Sequence, residues 1–308
     1  MASYNSSQWV HGDDVGYGHW YQDTPNGTLV CSNEDNIAWL KYKGTDAEML
    51  GANVCMWMAF AACLLCLMFY AYSTWRATCG WEEVYVCLVE MVKVMIEVFH
   101  ENDSPATLYL STGNFIMWIR YGEWLLSCPV ILIHLSNITG LQDQYSKRTM
   151  QLLVSDLGTI TMGVTAALCS NYVKWIFFIA GLCYGVNTYF HAAKVYIESY
   201  HIVPKGICRI CVRVMAWCFF AAWTCYPLLF VFGPEGLGVL SYNASAIGHT
   251  IIDIFSKQVW GFVGHYLRIK IHEHIVIHGN LVKPTKVKVA GMEIDAEEMV
   301  EKDEEGAI

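Results

Sequence analysis

The sequence predicts an all-α membrane protein, a bundle of seven transmembrane helices with its N-terminus outside the cell and its C-terminus inside. Of the 308 residues, 55% are hydrophobic and only 15% are charged, and the mean hydropathy is +0.33. An ordinary soluble domain has about 25% charged residues. The charges crowd into the first fifty residues, a few loops and the acidic end at 297–305. These features exclude a soluble enzyme and a disordered protein, and the net charge of −9 excludes a nucleic-acid-binding protein.

Seven apolar blocks have the length of roughly 20 residues that crosses a bilayer of about 30 Å. Turn or charge signals bound them, such as Pro204-Lys205-Gly206 and Gly233-Pro234-Glu235-Gly236. The second block is the least apolar because it contains several carboxylates. In chain order, the predicted spans are Gly51–Thr74, Glu82–Glu101, Asn114–Ser136, Thr149–Leu168, Tyr172–Ser199, Cys208–Phe232 and Asn243–Ile275.

Basic residues predict the orientation, because they are enriched in cytoplasmic loops. Arg76, Lys205 and Arg268 fall on one side of a seven-span arrangement, whereas Glu235 and the acidic N-terminal segment fall on the other. We therefore expect an extracellular segment 1–48, a seven-helix domain 49–276 and a cytoplasmic tail 277–308. Alternating Lys and Val before Gly291 predict a short β-hairpin in this tail.

The thirteen cysteines predict no disulfide scaffold, because most lie within the spans and behave as small apolar side chains. Cys31 lies clearly outside, so an intermolecular disulfide is an alternative for it. The CxxC pairs Cys63–Cys66 and Cys208–Cys211 have no second pair or histidine at zinc-finger spacing, and His272-Glu273-His274 lacks the later histidine of a zincin. The sequence therefore predicts no metal site.

Four carboxylates in span two form one stripe. Glu83, Glu90, Glu97 and Glu101 fall within about 40° of one another on a helix, with Lys93 near the edge. The stripe runs roughly 27 Å, almost the thickness of the membrane core. Such a row must face water or basic partners rather than lipid. It indicates an ion pathway that favours cations, and the alternative is an interhelical seam of ion pairs.

Span seven contains a second set of charges, Asp253 and Lys257, which share a helical face one turn apart. Lys257 lies near the middle of the span, where its amine cannot easily reach either interface. It either pairs with a buried acid or reacts as a neutral amine with an aldehyde to form a Schiff base. The spacing alone leaves both alternatives open.

A third set consists of Arg120, Glu123 and Asp156. Glu123 follows Arg120 by three residues, so we expect the arginine to keep this carboxylate ionised as a counter-ion. Asp156 lies in an apolar run without an obvious partner, which predicts a neutral proton or hydrogen-bond donor. The alternative for Asp156 is a hydrogen-bonded structural residue.

Several aromatic residues suggest a slot for a long apolar ligand, although core packing would give the same pattern. They are Trp124, Phe219, Trp223, Tyr226 and Trp260.

Long stretches of the chain resemble the green-algal channelrhodopsins, a family of microbial-type rhodopsins. The resemblance runs from about Trp57 to Met299. Its most specific segments are Cys79-Gly80-Trp81-Glu82-Glu83-Val84-Tyr85-Val86-Cys87, the run from Glu123 to Asn137, Phe190-His191-Ala192-Ala193-Lys194 and Gly248-His249-Thr250-Ile251-Ile252-Asp253.

The resemblance implies all-trans-retinal bound to Lys257 as a protonated Schiff base. It implies that Glu123 and Asp253 are the counter-ions, and that Cys128 and Asp156 form a pair that governs closing and reprotonation. The pocket that it implies is lined by Trp124, Ser127, Thr159, Gly181, Trp223, Tyr226 and Trp260.

The same resemblance implies a pore among helices one, two, three and seven, with three constrictions. Glu90 would lie at the central one, where Cys63 and Gln258 stand in place of the family's usual serine and asparagine. The inner constriction would contain Tyr70, Glu82, Glu83, His134 and Arg268. The outer side would contain Glu97, Glu101, Arg120 and Asp253, and Lys93 accompanies the glutamate row.

The function implied is a light-gated channel for protons, sodium and other cations in the plasma membrane, formed by a homodimer and not an enzyme. Alternatives are a light-driven proton pump or a sensory rhodopsin on the same fold. A G-protein-coupled receptor is more remote, because no NPxxY sequence follows Lys257. A transporter without retinal remains open if Lys257 is only an ion-pair partner.

Overall fold

We analysed a computed structural model of the chain. It describes residues 9–12, 19–23, 29–30, 44–76, 79–99, 107–109, 115–139, 145–169, 171–279, 281, 286–289 and 292–295. Glu101, Cys31 and the acidic end therefore lie outside the described residues.

Within the described residues, six long helices precede a seventh, interrupted one, which confirms the prediction of seven helices. They are α1 (Asp46–Trp75), α2 (Trp81–Phe99), α3 (Trp118–Asn137), α4 (Tyr145–Leu168), α5 (Asn171–Ile202) and α6 (Ile207–Phe232). The seventh helix consists of α7 (Tyr242–Asp253), a π-helical turn (Ile254–Val259) and α8 (Trp260–His278).

Local capping explains two of the helix starts. Helix α1 begins before the predicted Gly51, because Thr45 and Glu48 form a capping box: the Thr45 hydroxyl accepts from the Glu48 amide at 3.2 Å and the Glu48 carboxylate accepts from the Thr45 amide at 2.7 Å. Helix α7 begins after Ser241, whose hydroxyl accepts from the Ala244 amide at 3.0 Å.

Short strands lie outside the bundle, and most were not predicted. β1 (Trp9–Gly12), β2 (His19–Asp23) and β3 (Leu29–Val30) form an antiparallel sheet. Strand β5 (Phe115–Met117), which pairs with β4 (Thr107–Tyr109), takes the first residues of predicted span three. That boundary was wrong, because these residues pair with a neighbouring strand instead of starting the helix.

The predicted C-terminal hairpin is confirmed. Strands β6 (Lys286–Val289) and β7 (Met292–Asp295) pair antiparallel, with Val289 opposite Met292.

The bundle has buried charged groups within its core, and it exposes large apolar side chains on its outer surface. Large apolar side chains such as Trp217 and Val186 are about 70% exposed (72% and 68%), whereas Glu90, Asp253 and Lys257 are at most 4% exposed. This distribution suits a lipid environment, in which charged groups turn toward the bundle interior. Four of the described helices, α1, α4, α5 and α6, are long and apolar enough to cross a membrane.

Candidate functional site

Lys257 lies at the centre of the buried charges. The π-helical turn holds its side chain inside the bundle, and π-turns inside α-helices often mark functional sites. Its Nζ donates hydrogen bonds to Glu90 Oε2 and Glu123 Oε2, both at 2.7 Å, and to Asp253 Oδ1 at 2.8 Å. The predicted proximity of Asp253 and Lys257 is confirmed, and two further acids join them from α2 and α3.

Lys93 is a second ammonium group in the same place. Its Nζ lies 2.6 Å from Asp253 Oδ2, 3.3 Å from Glu90 Oε1 and 3.7 Å from Glu97 Oε2. Asp253 therefore bridges the two lysines. The sequence predicted Lys93 only at the edge of the stripe, because the position of helix seven opposite α2 is not visible in the spacing.

We refer to these side chains as the acid–base cluster. It comprises Glu90, Lys93, Glu97, Arg120, Glu123, Asp253 and Lys257. Four carboxylates face three cations, so the cluster lacks one positive charge if every member is ionised. A buried charge that is not compensated costs several kcal/mol, which favours uptake of a proton or a cation.

Glu123 and Arg120 each have a charged partner on another helix. Glu123 forms its ion pair with Lys257 of the seventh helix, whereas Arg120, which is also buried, interacts electrostatically with Glu97.

Tyr226 is a hydrogen-bond donor to the cluster, a role that the sequence did not predict. Its hydroxyl lies 2.6 Å from Asp253 Oδ1 and 3.0 Å from Ser256 Oγ. Sequence reasoning had placed Tyr226 only among the aromatic residues of the slot. A phenol can fix the orientation of a carboxylate, so Tyr226 positions Asp253.

The residues predicted to accompany Glu90 at the central constriction, Cys63 and Gln258, contact each other. Gln258 Nε2 donates to Cys63 Sγ at 3.4 Å, and Cys87 Sγ donates to the Cys63 carbonyl at 3.4 Å. Cys63 and Cys87 are each 1% exposed. These contacts join α1, α2 and the seventh helix beside Glu90.

The predicted inner group also comes together. Glu83 lies 3.5 Å from Arg268 Nη1 and 3.7 Å from His134 Nδ1, and Glu82 lies 3.6 Å from Arg268 Nη2. A cavity of about 10 Å³, the room of about one water molecule, reaches from this group to Lys257, and Tyr70 forms part of its wall.

A chain of hydrogen bonds not predicted from the sequence holds Glu82. Tyr145 donates to Asn137 Oδ1 at 2.5 Å, and Asn137 Nδ2 donates to Glu82 Oε1 at 2.9 Å. The chain connects the start of α4 with the end of α3 and the start of α2. Asn137 and Tyr145 are therefore positioning residues for the inner group.

Asp156 is buried, and its Oδ2 has no hydrogen-bond partner. The neighbouring Ser155 accepts hydrogen bonds from Asn187 at its hydroxyl and from Thr159 at its carbonyl. Cys128 is within electrostatic range of Asp156, but no hydrogen bond between the two is present among the described residues. Their pairing stays a prediction.

Trp260 lines the same cavity as Lys257, and the other aromatic side chains of the predicted slot contact one another. Trp124 contacts Tyr226 with 4.8 Å between ring centroids, and Trp223 contacts Phe219 at 4.3 Å. Trp260 Nε1 donates to the Tyr196 hydroxyl at 2.8 Å. The sequence had not indicated Tyr196.

Two small residues of the predicted pocket differ in their surroundings. A methyl group at Gly181 would lie 3.3 Å from Met162 Cβ and 3.4 Å from the Thr159 carbonyl, so Gly181 lets α5 approach α4. Ser127 is completely buried and its hydroxyl has no hydrogen-bond partner.

At the opposite end of the bundle from Glu82, the loop after α6 is fixed by Glu235. The Tyr121 hydroxyl donates to Glu235 Oε2 at 3.0 Å, and Lys174 donates to the Glu235 carbonyl. Burial raises the pKa of the Glu235 carboxyl, and the nearby charge of Arg120 opposes this effect.

Comparison with known proteins decides the family. A family model for bacteriorhodopsin-like proteins matches residues 51–271. The chain belongs to the bacteriorhodopsin-like protein family. The interpretation as a G-protein-coupled receptor is therefore wrong. Retinal is the chromophore of microbial rhodopsins, and this bacteriorhodopsin-like chain is a multi-pass membrane protein that carries it.

One similar solved structure is that of the red light-activated channelrhodopsin Chrimson. It is 48% identical, with a TM-score of 0.78, and the match covers 93% of this chain and 98% of that chain. The resemblance to channelrhodopsins is thereby confirmed.

More distant relatives share the fold. The thermophilic rhodopsin of Rubrobacter xylanophilus is 18% identical, with a TM-score of 0.64, over 71% of this chain and 97% of that chain. Sensory rhodopsin-1 of Halobacterium salinarum is 25% identical over 53% of this chain, and the chain spans 65% of the length of that relative.

Proposed function

We propose that the protein is a light-gated cation channel in which retinal is attached to Lys257. The observation that carries this proposal is the contact of the Lys257 amine with Glu90, a member of the buried carboxylate row on α2. Glu90 thus belongs to the row that would conduct ions, and it also contacts the amine that would respond to light. The 48% identity with Chrimson, over 93% of this chain, supports the same function.

The residues around Lys257 suit retinal. Its amine is buried among three acids, and Trp260 lines the same cavity. The Ser127 hydroxyl, Trp124 Nε1 and Glu123 Oε1 are buried without hydrogen-bond partners. When bound, retinal supplies a double bond that light isomerises and a positive charge at its linkage. Lys257 would hold it, with Trp124, Cys128, Thr159, Gly181, Trp223, Tyr226 and Trp260 as the surrounding pocket.

Glu123 and Asp253 stabilise positive charge at Lys257 and can accept its proton. Asp253 is already shared between two ammonium groups and a phenol, so any change of charge at Lys257 alters its bonds to Lys93. Asp156, buried and with one oxygen unpartnered, can return a proton from the side of Cys128.

The α2 carboxylates would form the ion pathway, which side-chain contacts would close at three levels. Glu97 and Arg120 would belong to the outer level, to which the channelrhodopsin resemblance also assigns Glu101. Glu90, Cys63 and Gln258 form the central level. A row of carboxylates favours cations over anions, which suits protons, sodium and other monovalent ions and extends to divalent ions.

The assembly and orientation follow from the channelrhodopsin resemblance and the distribution of basic residues. We expect a homodimer in the plasma membrane, with the N-terminus outside and the C-terminus inside. Glu82, Glu83, His134 and Arg268 would then face the cytoplasm.

A light-driven proton pump or a sensory rhodopsin is the remaining alternative, since both use the same fold. Patch-clamp recording under illumination separates them from a channel. We expect a photocurrent that changes sign with membrane voltage and whose reversal potential follows the cation gradient. A current of constant sign would indicate a pump, and absence of current from coloured, surface-expressed protein would indicate a sensor.

A further inference from the structure

Three side chains able to bind a metal meet at the inner end of the bundle. They are Cys79, just before α2, Glu83 on α2 and His265 on α8. One potential ligand atom from each lies within 4.8 Å of the other two. We call them the Cys79–Glu83–His265 cluster. Sequence spacing did not reveal it, because His265 is far from the other two residues along the chain.

Two of these groups are buried and lack hydrogen-bond partners. The Glu83 side chain is 1% exposed, and neither of its carboxylate oxygens accepts a hydrogen bond. His265 is 3% exposed, and its Nδ1 is also without a partner. The hydroxyl of Tyr70, whose ring centroid lies 6.0 Å from that of His265, is likewise buried and unpartnered. Such atoms are costly unless something binds them.

A thiolate, an imidazole and a carboxylate are together the preferred ligands of Zn²⁺. Calcium and magnesium prefer sets of oxygen ligands, so the cysteine and the histidine select against them. Water or the Tyr70 hydroxyl would take the fourth position of a tetrahedral site. The cluster therefore matches zinc in its chemistry.

Arg268 is the cation that now faces Glu83, at 3.5 Å. Its side chain is 35% exposed, so the guanidinium can move into water. It packs against Gly80, where a methyl group would lie 1.7 Å from Nη1. His134 also faces Glu83, at 3.7 Å from its carboxylate. A divalent ion would replace the contact with Arg268 and neutralise the same carboxylate.

We propose that Zn²⁺ binds to Cys79, Glu83 and His265, connects α2 to α8 and holds the inner constriction closed. The Cys79 thiol would release its proton to solvent on binding. The effect on current rests on the proposed channel function, whereas the binding itself does not.

A second pair of histidines must be removed before binding is tested. The rings of His274 and His278, one turn apart on α8, lie 4.7 Å from each other and could themselves bind zinc. The reference protein is therefore the full chain with His274→Ala and His278→Ala, purified with retinal. Visible absorption shows whether each variant retains its fold.

Calorimetric titration with zinc chloride tests the site directly. We expect one Zn²⁺ per chain in the reference protein, and binding at least about tenfold weaker after Cys79→Ala or His265→Ala. Cys183→Ala, which removes an exposed thiol on α5, is the matched control and should bind as the reference does. No binding, or equal binding by all coloured variants, would overturn the proposal.

Patch-clamp recording then tests the consequence. Zinc in the recording pipette, on the cytoplasmic side, should suppress the photocurrent of the reference protein and of Cys183→Ala but leave that of Cys79→Ala unchanged. Equal suppression in all three would refute a role for the cluster in gating. If none of the proteins gives a photocurrent, the channel function fails while the calorimetric result still decides the zinc site.

Discussion

Lys257 Nζ on the seventh helix lies 2.7 Å from Glu90 Oε2 on α2, and this ion pair joins the proposed retinal attachment site to the carboxylate row. Glu90 also lies 3.3 Å from Lys93 Nζ. A change of charge or position at Lys257 is therefore felt directly by two charged side chains of α2.

Removal of the Lys257 amine should abolish both colour and current. Lys257→Ala provides no nucleophile for retinal, and we expect no visible absorption band and no photocurrent. Absorption spectroscopy of protein purified with retinal measures the first, with Lys147→Ala, an exposed lysine on α4, as the control that stays coloured. A coloured Lys257→Ala protein would refute the attachment site.

Glu90→Gln should shift the reversal potential, because it removes an ionisable group from the middle of the α2 row. Glu123→Gln is the matched control, since Glu123 contacts the same amine at the same distance but belongs to α3. We expect Glu123→Gln to change the absorption spectrum while leaving cation selectivity as it was. Recordings with exchanged ions measure this, and an unchanged reversal potential for Glu90→Gln would show that α2 is not the conduit.

Lys93→Met should destabilise the protein. It leaves the carboxylates of Glu90, Glu97 and Asp253 with less compensation in a buried site, and the loss of one partner of such a pair costs roughly 3–5 kcal/mol. Thermal denaturation in detergent, followed by loss of colour, provides the measurement. A melting temperature equal to that of Lys147→Ala would contradict the assigned ion pairs.

Asn137→Ala should destabilise the inner group, because Asn137 connects Tyr145 to Glu82 through two hydrogen bonds. Each such hydrogen bond contributes about 0.5–1.5 kcal/mol. Tyr145→Phe removes only the outer bond of the chain, so its effect should be smaller. Thermal denaturation compares the two variants, and a larger loss from Tyr145→Phe would contradict the assigned order.

Glu235 should make stability depend on pH. Burial raises the pKa of its carboxyl in the folded protein, so folding favours the protonated form. This contribution is present below the ordinary carboxyl pKa and is lost as the pH rises through the raised folded-state pKa. Between about pH 4 and about pH 8, the melting temperature of the parent should fall more than that of Glu235→Gln. Parallel curves would refute the assignment.

Much of the architecture could be predicted from local sequence. Hydrophobic blocks of membrane length determined the seven helices, and helical periodicity placed Glu83, Glu90 and Glu97 on one face of α2. The four-residue spacing determined that Asp253 and Lys257 meet. These features depend on neighbours within one helix. The capping box of Thr45 and Glu48 likewise depends on residues within one helical turn.

Only the tertiary structure decided which helices face each other. It brought Glu90 and Lys93 to Lys257 and Asp253, and it assembled Cys79, Glu83 and His265. The short strands before α1 were also missed, because their pairing joins residues whose local pattern is weak. Periodicity fixes which face of a helix is polar, whereas the partner of that face is selected by packing across the whole bundle.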